Sequence, residues 1–113
     1  MDGDTISITM ELPMRIRIRD CWAPETNKGP EHSRVMGRKA AEYMRDMLPE
    51  GTRVIVDVPT EEAVGLQSVM SFGRVAADVY LEDGRDVSYL LCQDGHAYPT
   101  KSAMQVAIDS RKP

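Results

Sequence analysis

Met14-Arg15-Ile16-Arg17-Ile18-Arg19-Asp20-Cys21-Trp22-Ala23-Pro24-Glu25-Thr26 is the stretch on which the fold turns. Met14, Ile16 and Ile18 alternate with Arg15, Arg17 and Arg19, the period-two pattern of a strand with one dry face and one wet face. Upstream, Thr5 to Leu12 alternates in the same way. Ile6, Ile8, Met10 and Leu12 share one side; Thr5, Ser7, Thr9 and Glu11 share the other. Pro13 separates the two runs. Together they predict an antiparallel hairpin whose solvent side carries a row of three arginines.

Downstream, Asn27-Lys28-Gly29 reads as loop. Pro30 suits a helix start and Glu31 suits its positive end. Val35, Met36, Ala40, Tyr43, Met44, Met47 and Leu48 recur at helical spacing up to Pro49-Glu50-Gly51. A strand is expected from Thr52 to Val58, with Val54, Val56 and Val58 on one face. Pro59 to Ser71 has no period and reads as a loop of about a dozen residues, a length associated with functional loops. Phe72 to Glu82 alternates again, with Val75, Ala77, Val79 and Leu81 inward. Asp83-Gly84 is a turn signal. Ser88 is expected to cap a short helix carrying Leu90, Leu91 and Cys92, and the tail holds one weak helix around Met104 to Ile108.

The 113 residues suit one small domain over 1–113. Apolar residues make up 42% and charged residues 28%, which is ordinary for a globular domain. Aromatics are scarce and eight Met fill part of the core. No apolar run approaches the ~20 residues that span a bilayer, so no membrane role is expected. Asp2 and Asp4 stand where a signal peptide would be basic. The expected compartment is therefore the cytoplasm, with secretion left open for a chain that starts upstream. Cys21 and Cys92 fit neither a zinc pattern nor a disulfide framework, and two reduced thiols are expected. His32 and His96 lack ligand spacing with either. A net charge of −4 argues against strong nonspecific nucleic-acid binding over the whole surface. It leaves room for a local basic cluster.

The element order is strand, strand, helix, strand, strand, helix, which predicts an α+β fold with a curled antiparallel sheet. The charged residues also fall in one order: Asp2-Gly3-Asp4-Thr5, the arginine row with Asp20, Ala23-Pro24-Glu25-Thr26, Gly29-Pro30-Glu31, then Phe72-Gly73-Arg74. Each alone has an ordinary reading, as a polar terminus, a solvated strand face or a loop acid. Jointly, from Asp2 to about Tyr98, they resemble the staphylococcal nuclease (thermonuclease) family. That resemblance implies an OB-fold-like barrel with two to three helices. It implies a Ca²⁺-dependent nuclease that hydrolyses phosphodiester bonds of DNA, with RNA as a further substrate and little sequence preference. The alternative is a degenerate module that binds nucleic acid or a protein without cleavage.

Carried over residue by residue, the resemblance makes Arg17 and Arg74 the phosphate clamp and Glu25 the group that orients or deprotonates the attacking water. Asp4 and the backbone carbonyl of Ala23 become metal ligands. The second metal carboxylate stays open: counting back from Pro24 its place is held by Trp22, whereas Asp20 keeps the five-residue spacing from Arg15. The family's first strand precedes Asp-Gly-Asp-Thr, and here only Met1 does. An upstream start, an open barrel, or a second copy or partner chain supplying that strand are the alternatives.

The residue types suit the chemistry. Ca²⁺ takes six to eight oxygens from carboxylates, carbonyls and water. Arginine presents a rigid donor fork that matches phosphate and keeps its charge at neutral pH. A carboxylate beside the attacking water serves as general base.

Overall fold

A computed structural model describes residues 3–9, 11, 14–59 and 74–113. The expected loop through residue 71, the Phe72-Gly73 pair and Asp2 lie outside the described residues. The elements are β1 (Arg15–Ile18), α1 (Glu31–Met47), β2 (Val54–Asp57), β3 (Arg74–Leu81), α2 (Val87–Gln93) and α3 (Lys101–Ser110). Their sum is α+β and OB-like, as the sequence pattern predicts.

The sheet is mixed rather than antiparallel. Its order is β1-β3-β2, and β3 runs antiparallel to β2 but parallel to β1. Helix α1 lies between β1 and the rest of the sheet in sequence, and a long crossover of that kind is what a parallel neighbour requires. Arg15 pairs with Arg74, Ile16 with Val75, Arg17 with Ala76 and Ile18 with Ala77. Arg19 N–H then donates to Ala77 O at 3.0 Å, which carries the pairing one residue past the strand.

Among the described residues, the expected hairpin shows no pairing: Thr5 to Thr9 pairs with no described strand, and Ile6 and Ile8 are 81% and 70% exposed. Alternation fixes which side chains share a face; it does not supply the neighbouring backbone that makes the face a sheet. The dry side of β1 rests instead on the core reached through β3.

That core gathers Val79, Val87, Leu91 and Ala97, with Ile16, Ile18, Tyr43, Met44 and Leu81 packed around it. Fully burying a side chain such as Val87 or Leu91 is worth about 1.5–3 kcal/mol. Helix α1 ends where the Leu48 N–H bonds to Met44 O at 2.8 Å and Pro49 follows. Strand β2 is an open edge, with Val54, Ile55 and Val56 all exposed, so the inward face expected for it is not covered among the described residues.

The two short helices are fixed by side-chain caps. Asp86, not Ser88, caps α2: its carboxylate accepts from the Ser88 N–H at 2.9 Å and the Tyr89 N–H at 3.4 Å. Thr100 caps α3, its hydroxyl accepting from the Ala103 N–H at 3.0 Å. That cap starts a full ten-residue helix where the apolar pattern alone marks only its middle. His32 Nε2 lies 3.1 Å from Ile108 O and ties the start of α1 to α3.

Candidate functional site

The arginine row reaches its chemistry at the end of β1. Residues 19 and 20 form a turn there, and Asp20 takes the left-handed conformation, φ 51°. Asp tolerates that region better than most residues. The turn brings the Cys21 carbonyl back over the strand. Nη1 of Arg17 donates to that carbonyl at 3.0 Å and to Ile18 O at 2.5 Å. The guanidinium carbon sits 4.3 Å from the centroid of the Trp22 ring.

A guanidinium has five N–H donors. Two carbonyls use Nη1, and the Nε–Nη2 edge has no partner among the described residues. This is the edge that receives two oxygens of a phosphate or carboxylate side by side. The half-buried Arg17 is thus held from behind by backbone and indole, with its bidentate edge unengaged.

Trp22 is itself held by backbone. Its N–H donates to Tyr98 O at 2.7 Å and its carbonyl accepts from the Tyr98 N–H at 2.9 Å. The same ring has the Lys101 ammonium 6.0 Å from its centroid, at the start of α3. Two cations therefore lie within about 6 Å of one half-buried aromatic ring.

The Ala23-Pro24-Glu25 segment continues from Trp22 onto helix α1. Pro24 is buried; Ala23 and Glu25 are exposed. The segment lies so close to the helix that a Cβ on Gly37 would come within 2.5 Å of both the Pro24 and Glu25 carbonyl oxygens. No side chain fits there, so Gly37 sets the height of Glu25 above the helix. Glu25 then lines a cleft with Lys28, His32, Gln105 and Lys112.

The six sequence-predicted residues divide into groups. Arg17 and position 74 lie on neighbouring strands, with 74 opposite Arg15 and so one diagonal step from Arg17. Glu25 follows Trp22 directly along the same loop. Asp4 sits in an exposed turn, where its carboxylate accepts from the Thr5 hydroxyl at 3.2 Å. Asp20 is an exposed turn residue, and its carbonyl faces the Cys92 thiol at 3.9 Å. No three His, Cys, Asp or Glu side chains among the described residues come together as a metal cage. Trp22 brings no oxygen ligand to its position. The described residues, in this arrangement, do not fit a calcium ion.

Cys21 is packed against the core beside Cys92. Burial first, and then the neighbouring Cys92, push its thiol up to about 11. Both cysteines are free, as the sequence predicts. The residues that sequence reasoning passed over are Lys101, Gly37 and Tyr98. Only Gly37 left a trace, as a glycine inside a strong helical pattern.

Comparisons with known proteins give the family. The family model of the staphylococcal nuclease homologues matches residues 15–111. That match covers most of the chain, and the chain belongs to this family. It is also 31% identical over 104 residues to "Endonuclease YhcR" of Bacillus subtilis (strain 168). The alignment takes in 86% of the chain but only 8% of that much longer protein. No solved structure matches the chain significantly. Among the described residues, no helix is long and apolar enough to cross a membrane.

Proposed function

We propose that this chain acts on the phosphodiester backbone of DNA or RNA, as a nuclease domain whose built part is its phosphate clamp. The observation that carries the proposal is the Arg17 guanidinium, fixed by the Ile18 and Cys21 carbonyls and by Trp22, with its Nε–Nη2 edge left for an anion. A guanidinium already held in place loses little freedom when it takes a phosphate. Arg74, opposite Arg15 in the sheet, supplies the second clamp. The exposed Glu25, seated on Gly37, is the acceptor for the proton of the attacking water. These residues bind the diester, hold its charge and take one proton.

Calcium dependence is the finer part of the proposal, and it rests on the family resemblance alone. The test is release of acid-soluble nucleotides from DNA and from RNA, with calcium and with chelator. Calcium-dependent release supports hydrolysis with a cage completed by residues beyond those described. No release by folded protein under either condition removes the hydrolase reading.

A second reading, a module that binds nucleic acid without cutting it, is favoured by one observation. Counting back from Pro24, Trp22 stands where the family resemblance calls for a carboxylate, and its ring stacks on Arg17. Binding that persists in chelator with no turnover selects this reading.

A further inference from the structure

We infer that Trp22, with Arg17 and Lys101 close to its ring, is a metal-independent seat for one unpaired base of a single-stranded nucleic acid. The inference deepens the nucleic-acid reading above and rests on it.

Three features meet at this point. The first is a rigid aromatic surface. The backbone of Trp22 is pinned to Tyr98 in both directions, at 2.7 and 2.9 Å, which fixes the main chain from which the ring projects, and the Arg17 guanidinium packs on the ring itself. The second is a partly open stack. The guanidinium lies 4.3 Å from the ring centroid, and the residue remains half-exposed, so a further flat group extends an indole–guanidinium stack that already exists. Bases stack on aromatic rings and on guanidinium planes alike. The third is flanking positive charge. The Nε–Nη2 edge of Arg17, without a partner among the described residues, takes a backbone phosphate, and Lys101, 6.0 Å from the ring centroid, adds a second positive charge.

This combination selects a strand rather than a duplex. In a duplex both faces of each base are already stacked, and presenting one to Trp22 means unstacking it. It also dispenses with a cation. The indole ring offers no oxygen, and the two positive groups needed beside the phosphates come from the protein itself.

The chain contains one tryptophan, so its emission reports this ring and no other. The experiment titrates the intact protein in chelator at low ionic strength with oligothymidylate, a matched blunt duplex and inorganic phosphate. The expected result is saturable quenching by oligothymidylate, at least about tenfold weaker for the duplex, with no comparable change from phosphate. Trp22→Leu is expected to weaken binding of a labelled oligothymidylate, read by anisotropy, by about five- to a hundredfold. Trp22→Phe is expected to keep part of it.

Unchanged emission on adding oligothymidylate, or equal quenching by the duplex, overturns the inference. The wild-type titration decides the matter even if a variant fails to fold. A parallel cleavage assay on the same preparation, with calcium supplied in place of chelator, separates the two proposals. Cleavage without quenching sinks this inference and keeps the nuclease. Quenching without cleavage does the reverse.

Discussion

The end of β1 and the segment from Asp4 to Thr9 carry residues of the same proposed site, and they are built to different standards. At the end of β1, Arg17, Cys21, Trp22 and Tyr98 are cross-linked by side-chain and backbone hydrogen bonds and by a cation–ring stack. Among the described residues, Thr5 to Thr9 is exposed and pairs with no strand, and Asp4, in an exposed turn, accepts only from its neighbour's hydroxyl. The difference teaches that a phosphate clamp and a cation cage are separable parts. A clamp is local: one strand, one turn and one ring suffice. A cage needs carboxylates from separate segments to converge, which depends on pairings that Thr5 to Thr9 lacks.

The sharpest way to break this comparison is at the proton acceptor. Glu25→Gln keeps shape and hydrogen bonding but cannot take a proton. The expected loss is about 10²- to 10⁴-fold in kcat with KM little changed, read by steady-state nuclease kinetics. A KM effect alone would make Glu25 a binding residue. Next is Arg17→Lys. A lysine cannot hold both carbonyls and still present two parallel donors, and the expected loss in kcat/KM is about 10²-fold. Full activity in this variant would dissolve the clamp.

Gly37→Ala should act at one remove. The added methyl group must lift the Pro24–Glu25 backbone, by the clash at 2.5 Å. A kcat reduced about tenfold is expected, with helix content by circular dichroism nearly unchanged. Unaltered kcat would show that the height of Glu25 is immaterial. Smaller still, Asp4→Asn should alter calcium-dependent activity less than about twofold if the N-terminal segment is as detached as its exposure indicates. A large loss would show that the segment docks when substrate or ion is present.

The smallest effect is a pH dependence. The Cys21 thiol titrates at about 11 in the folded chain and at 9.0 when exposed. The folded state therefore holds the proton more tightly. Whatever stability this gives is complete below pH 9.0 and is lost as pH rises towards 11. Alkaline denaturation of Cys21→Ser, set against wild type, should show a shallower fall across that window. Identical curves would remove Cys21 as the cause.

How much of this was readable in the sequence follows the range of the forces involved. Arg15 to Ile18, α1 and β3 declare themselves by period, because burial of one face is written in neighbouring residues. The family order of Asp4, Arg17, Glu25 and Arg74 was also legible, and with it the family. Thr5 to Thr9 misleads because its alternation is real but its pairing partner is not encoded locally. Asp86 takes the cap expected of Ser88 because the longer reach of its carboxylate covers two N–H groups. Lys101 to Ser110 is a longer helix than its weak apolar pattern suggests, since the Thr100 hydroxyl starts it. The Trp22–Tyr98 pairing joins residues far apart in sequence, and no local pattern announces such a contact.

That pairing bears on how the domain comes apart. Because Trp22 and Tyr98 bond each other in both directions, the chain between them is closed into one ring by peptide backbone. Phosphate-binding competence should then vanish at the same denaturant midpoint as helix and sheet, with no earlier fraying of the binding corner. The two amide protons of this pair should exchange with solvent only as slowly as the whole domain opens.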